Sequence, residues 1–150
     1  MKKTALTVVV LFLITCFAAL AYADLAHFLS ELNAQAQEDL NGYTEKLGNQ
    51  FGVASQQVRD IINAVDYPAD AFMVLQLGQM TNKQPETVLE TYKNNQGKGW
   101  GVIAQELGIK PGSAEFHALK QGDFSFTGVP GDSSGTGQGK GKDKGKGHNK

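Results

Sequence analysis

Cysteine is almost absent: the 150 residues contain one, Cys16, and it lies in an apolar N-terminal run. Once that run is removed no thiol is left, which excludes disulfides, thiolate catalysis and Cys-ligated metal from the remainder. After residue 23 there is also no alternating run of β-branched and aromatic residues longer than a few positions, so strands are not required. Cations are scarce in the body of the chain, where residues 24–137 carry 14 Asp and Glu against 7 Lys and Arg. Such a surface repels nucleic acid and anionic lipid. The local signatures of common enzymes are missing as well. There is no G-x-S-x-G, no H-E-x-x-H and no G-x-x-x-x-G-K-[ST].

What is present begins with an export signal. Lys2 and Lys3 precede the uncharged stretch Thr7 to Leu20, and Ala21-Tyr22-Ala23 supplies small residues for signal peptidase. The mature chain is therefore expected to start at Asp24, in the bacterial periplasm or outside the cell. Two weaker readings use the same residues. The 20 uncharged residues between Lys3 and Asp24 are long enough to remain as an anchor. Acylation at Cys16 is the other, disfavoured because Thr15 is larger than the residue such a motif prefers. Residues 24–127 suffice for one modest core without staples. From Gly128 to Lys150 the composition changes to Gly, Ser, Lys and Asp, which cannot bury enough apolar area to offset backbone entropy, so a disordered tail is expected.

Between those ends the pattern is helical. Leu25, Phe28, Leu29, Leu32, Ala36, Leu40, Tyr43, Leu47 and Phe51 advance in steps of three and four as one amphipathic stripe. A break is expected near Asn41-Gly42 and a stop at Gly48 or Gly52. Ser55 is placed to cap a helix carrying Val58, Ile61, Ile62 and Val65. Pro68 and Pro85 each suit a first helical turn, Gly108 closes a helix starting at Trp100, and Ser113 caps a last turn with Phe116 and Leu119. Val58 and Val88 begin equivalent helices, and Leu77-Gly78 recurs as Leu107-Gly108 at the same spacing of 30, a faint repeat of helical hairpins. The expected fold is all-α, a small bundle of four to five helices.

Few residues carry a chemical suggestion. Gly97-Lys98-Gly99-Trp100-Gly101 reads first as a tight helix connection, and second as a binding loop in which Trp100, Tyr92 and Lys98 form a stacking surface for a glycan or peptide. Asp66 with Asp70, and Glu86 with Glu90, are possible acid–base pairs, although each has a simpler role beside a helix N-terminus. His27 and Glu31 share a helix face but lack further ligands, His117 is expected to pack or cap, and no metal or cofactor is expected. The pair Ile103–Ile109 and Ser113–Gln121 has the shape of a helix-turn-helix without its basic recognition helix, so specific DNA binding is not expected.

Gly99-Trp100-Gly101-Val102-Ile103-Ala104, Glu106-Leu107-Gly108-Ile109-Lys110-Pro111-Gly112-Ser113 and Phe116-His117-Ala118-Leu119-Lys120 together resemble the C-terminal motif of small exported bacterial proteins of uncharacterised function. The resemblance covers 22 positions. It implies an exported helical domain and assigns no catalytic residue. The expected function is noncatalytic: an interaction or envelope-associated module that binds a partner or itself through the first amphipathic helix. Lys140, Lys142, Lys144, Lys146 and Lys150 add salt-sensitive attraction to anionic envelope surfaces, or serve solubility alone. The competing expectations are a small hydrolase of envelope polymers using Asp66, Asp70 or Glu106, and a protein that holds metal or a small ligand.

Overall fold

The computed structural model describes residues 24–130, which form an all-helical domain. In chain order the helices are α1 (24–38), α2 (Leu40–Phe51), α3 (Ser55–Ile62), α4 (Pro68–Thr81), α5 (Pro85–Asn94), α6 (Trp100–Glu106) and α7 (Ala114–Gln121). Seven helices thus replace the expected four or five among the described residues. The expected export signal with Cys16 and the five tail lysines lie outside them. No helix of the described residues is long and apolar enough to cross a membrane.

Two local expectations are corrected by capping. The first stripe does divide, but at Asp39 rather than at Asn41-Gly42. Asp39 is extended, with φ −149° and ψ 90°, and its carboxylate accepts the Gly42 N–H at 2.9 Å. Gly42 is therefore the partner of a cap instead of a breaker, and a Cβ there would collide with the Asp39 carboxylate. In the second case Ser55 is the first residue of α3 and Ala54 occupies the cap position without a side-chain bond. Pro68 and Pro85 open α4 and α5 as expected, and Ser113 Oγ accepts the Phe116 N–H at 3.2 Å to cap α7.

The repeat is more extensive in the structure than in the sequence. The α2–α3 and α4–α5 turns have the same build 30 residues apart: Val53 N–H donates to Gly48 O and Lys83 N–H to Gly78 O, both at 2.9 Å. Gly52 and Asn82 are the left-handed residues, at φ 67° and 52°. A Cβ on Gly48 or Gly78 would meet the carbonyl of Val53 or Lys83 at 2.7 and 3.0 Å, which is why each Leu is followed by Gly. Leu107-Gly108 begins a third, longer connection, residues 107–113, into α7. Successive helix pairs pack against one another, α2 and α3 against α4 and then α5 against α6.

At the centre is α4, buried at every position from Ala69 to Gly78. A helix apolar all round has no solvent face, so other elements must wrap it. Phe72 is fully buried among the rings of Phe28, Phe51, Phe124 and Phe126, with centroids 5.1, 5.5, 5.9 and 6.0 Å away. Each such pair is worth about 0.5–1.5 kcal/mol beyond area burial. Phe124 and Phe126 belong to a non-helical segment after α7. Gln50 holds it, donating to Ser125 O at 2.8 Å and accepting from Thr127 and Gly128 N–H at 3.0 and 3.1 Å. The first stripe is consumed by this packing: Leu32, Ala36, Tyr43 and Leu47 are buried, and Leu40, at 49% exposure, is its one strongly exposed member.

Candidate functional site

Where the second helix pair meets the third, the α3–α4 loop, the N-terminal end of α4 and α5 converge with the α5–α6 connection. Pro68 at the first position of α4 fixes the entry of that helix. Asp70 then falls in its first turn, where its Oδ2 accepts the Tyr67 N–H at 3.2 Å, and Asp66 lies in the preceding loop. Gly97 and Gly99 at φ 80° and 82° adopt a conformation that costs an L side chain dearly, and they turn the chain so that Trp100 folds inward at the start of α6. Tyr92 on α5 stacks on Trp100, with ring centroids 5.2 Å apart and planes inclined by 24°.

The polar atoms form one connected set. Trp100 Nε1–H donates to Asp70 Oδ1 at 3.3 Å. The Tyr92 hydroxyl lies 2.9 Å from Asp66 Oδ2 and 3.2 Å from Asp70 Oδ2, and its oxygen accepts the Asp66 N–H at 3.2 Å. A phenol has one proton. If it goes to the nearer oxygen, on Asp66, then the contact with Asp70 is a hydrogen bond only when Asp70 carries a proton and donates it. Burial favours that arrangement: it pushes the Asp70 carboxyl above the usual carboxylate range, and the Asp66 charge adds to the shift, while bonds from Tyr67, Tyr92 and Trp100 oppose it. Burial also raises the Tyr92 and Tyr43 hydroxyls, with Asp70 contributing to both, so these phenols stay neutral. Asp66 is exposed and faces solvent.

Above this set is a cavity of about 250 Å³ lined by Asp66, Tyr67, Asp70, Tyr92, Trp100, Ile103 and, from the α5–α6 connection, Asn95, Gln96, Gly97 and Gly99. Tyr67 is 63% exposed, whereas Asp70, Tyr92 and Trp100 are 8%, 5% and 9% exposed. Among the described residues that line the cavity, none is Lys, Arg or His. Two larger clefts, of about 340 and 270 Å³, open between successive hairpin turns, and neither joins an aromatic ring to a carboxylate.

Of the sequence candidates, the structure brings Asp66, Asp70, Tyr92 and Trp100 together and keeps the others apart. Lys98 stands beside the cavity rather than in it, its ammonium donating to Asn95 Oδ1 at 3.0 Å. Glu106 accepts from Asn95 Nδ2 at 2.6 Å, and Glu86 accepts from Gln57 Nε2 at 2.8 Å on an exposed surface. His27 and Glu31 are an exposed pair 3.5 Å apart, and no group of three or more metal-ligating side chains is found among the described residues. His117, expected to pack or cap, is exposed. Gln96, which donates to Asp66 Oδ1 at 3.4 Å, went unnoticed in the sequence. The repeat held the clue: Asp66 and Gln96, like Asp70 and Trp100, are 30 residues apart. No protein family, curated protein or solved structure matches this chain.

Proposed function

We propose that this chain is an exported, noncatalytic binding module of the bacterial envelope, and that the cavity over Asp66 and Asp70 takes a cationic group, the primary ammonium of a lysine side chain or a free peptide N-terminus. One observation carries the reading: two carboxyl groups and three aromatic rings line a single cavity of about 250 Å³ that no cationic side chain lines. An ammonium leaving water needs compensating acceptors and negative charge, and aromatic faces attract it further. Asp66 supplies the charge, while Asn95, Gln96 and the backbone of the glycine connection supply acceptors.

Capture, rather than bond breaking, is favoured by the state of Asp70. Both of its oxygens are engaged, Oδ2 by Tyr67 and Tyr92 and Oδ1 by Trp100, so the carboxyl is held by its own chain rather than presented to a substrate. No Ser, Thr or Cys nucleophile lines the cavity. The N-terminal export signal and the resemblance to small exported proteins support the envelope location. The tail lysines supply contacts to anionic envelope components.

Trp100 is the sole tryptophan, so its emission reports on this cavity directly. Titration with N-acetyl-lysine methylamide is expected to shift that emission with millimolar affinity, and Asp66→Asn to weaken binding about tenfold, the equivalent of one lost charge contact. The analogue acetylated at its side-chain amine is expected to have no effect. An equal response to the neutral analogue, or unchanged affinity in the Asp66→Asn protein, would overturn the reading.

A further inference from the structure

We infer that the resting occupant of the cavity is the chain's own lysine tail, residues 138–150, which makes the module self-competing; the inference rests on the cavity reading above. Charge complementarity is the first argument. The tail carries 5 Lys against Asp143, whereas residues 24–137 hold 14 acidic against 7 basic side chains. Each tail lysine before His148 is flanked by glycine on at least one side, so an ammonium on its four-carbon stem enters a narrow cavity without a bulky neighbour obstructing it.

The second argument is where the chain leaves the body. Gly128 packs on Lys46 of α2, so closely that a Cβ there would lie 3.1 Å from Lys46 Cγ, and the Lys46 ammonium sits 5.9 Å over the Phe126 ring. Lys46 is one helical turn from Tyr43. The Tyr43 hydroxyl donates to Pro68 O at 3.0 Å, and Pro68 is two residues from Asp70. The described chain therefore ends against the helix whose Tyr43 is tied to the first residue of α4. Ten residues from Pro130 to Lys140 span up to about 33–36 Å when extended, and a domain of this size has a radius of gyration near 13 Å. Every tail lysine reaches the cavity.

The third argument is energetic. A glycine-rich tether of this length gives each of the five tail ammoniums an effective concentration of about a millimolar, comparable to the dissociation constant of a single ammonium. The tail thus occupies the cavity for part of the time and yields to a better ligand, setting a threshold that depends on ionic strength because the contact is charged and near solvent.

The test compares the wild-type protein with a variant in which all five tail lysines are replaced, K140Q, K142Q, K144Q, K146Q and K150Q. The expected result is that N-acetyl-lysine methylamide binds the variant about 3–10-fold more tightly. In addition, Trp100 emission in the wild type is expected to move towards that of the variant as NaCl is raised from about 20 mM to 0.5 M, across which the Debye length shrinks severalfold. Equal amine affinity in the two proteins, with no salt response, overturns the tail inference and leaves the cavity reading standing. Absence of any amine response in both proteins overturns the cavity reading and the tail inference together.

Discussion

Two polar side chains are buried on α4, less than two turns apart, and they have opposite fates. Asp70 accepts from the Tyr67 backbone and from Trp100 on α6, and shares a hydrogen bond with the Tyr92 hydroxyl on α5. Gln76, 1% exposed, has neither its amide nitrogen nor its oxygen partnered among the described residues. Both lie in the same all-round buried helix, so the helix does not explain the contrast. The neighbours do. Around Asp70, Trp100 at the repeat-related position of the adjacent helix pair offers an indole N–H and Tyr92 on α5 offers a phenol, whereas no donor or acceptor among the described residues reaches Gln76. Burying a polar group is costly unless it is bonded, so one site has been built around its polar residue and the other has not.

The largest effect expected from breaking this contrast is at the first site. Replacing Asp70 by Leu strands the Trp100 indole N–H in an apolar environment and removes the tie between α4 and α6. A loss of about 2 kcal/mol in urea unfolding is expected, in the range for an orphaned buried donor. Adding Trp100→Phe to Asp70→Leu should recover part of it, because the double variant no longer carries an indole N–H without a partner. Additive losses in the double variant would show that packing, not the hydrogen bond, holds that corner.

The opposite sign is expected at the second site. Gln76→Leu replaces an unpartnered amide with carbon of similar size, and stability should rise by about 1 kcal/mol by the same denaturation measurement. A loss would mean that Gln76 is satisfied by a buried water that also bridges its neighbours.

The same two sites mark how far the sequence could be followed. Helix formation was legible where punctuation was local: Pro68, Pro85, Gly52, Gly108 and Ser113 act where the pattern put them. The Asp39 break was missed because Gly42 has two possible meanings, as a breaker and as the partner of a cap, and only the Asp39 backbone distinguishes them. The site was half legible. Asp66, Asp70, Tyr92 and Trp100 each stood out singly, but their convergence depends on stacking between helix pairs, and the period of 30 was visible without its consequence that equivalent positions touch. Gln76 could not have been singled out, since a glutamine within an apolar run signals burial without indicating what surrounds it.

The smallest expected effect, and the most specific to Asp70, is on pH dependence. Burial raises the folded-state pKa of its carboxyl above the value in the unfolded chain, about 3.9. Between those two values the native state binds more protons than the unfolded state, so stability must fall as pH rises. The contribution of Asp70 is therefore fully present below about pH 4 and is lost as pH climbs through the raised value. Repulsion within the acidic body has the same sign, so the slope in the wild type alone is not diagnostic. Asp70→Asn keeps the side-chain volume and can keep the indole bond through its amide oxygen, yet it cannot titrate. Urea unfolding from pH 4 to 8 should give a shallower decline for Asp70→Asn than for the wild type, with the two curves separating most at the high end of the range. Parallel curves would show that Asp70 is ionised throughout, and the proton would then have to be removed from the Asp66–Tyr92–Asp70 chain.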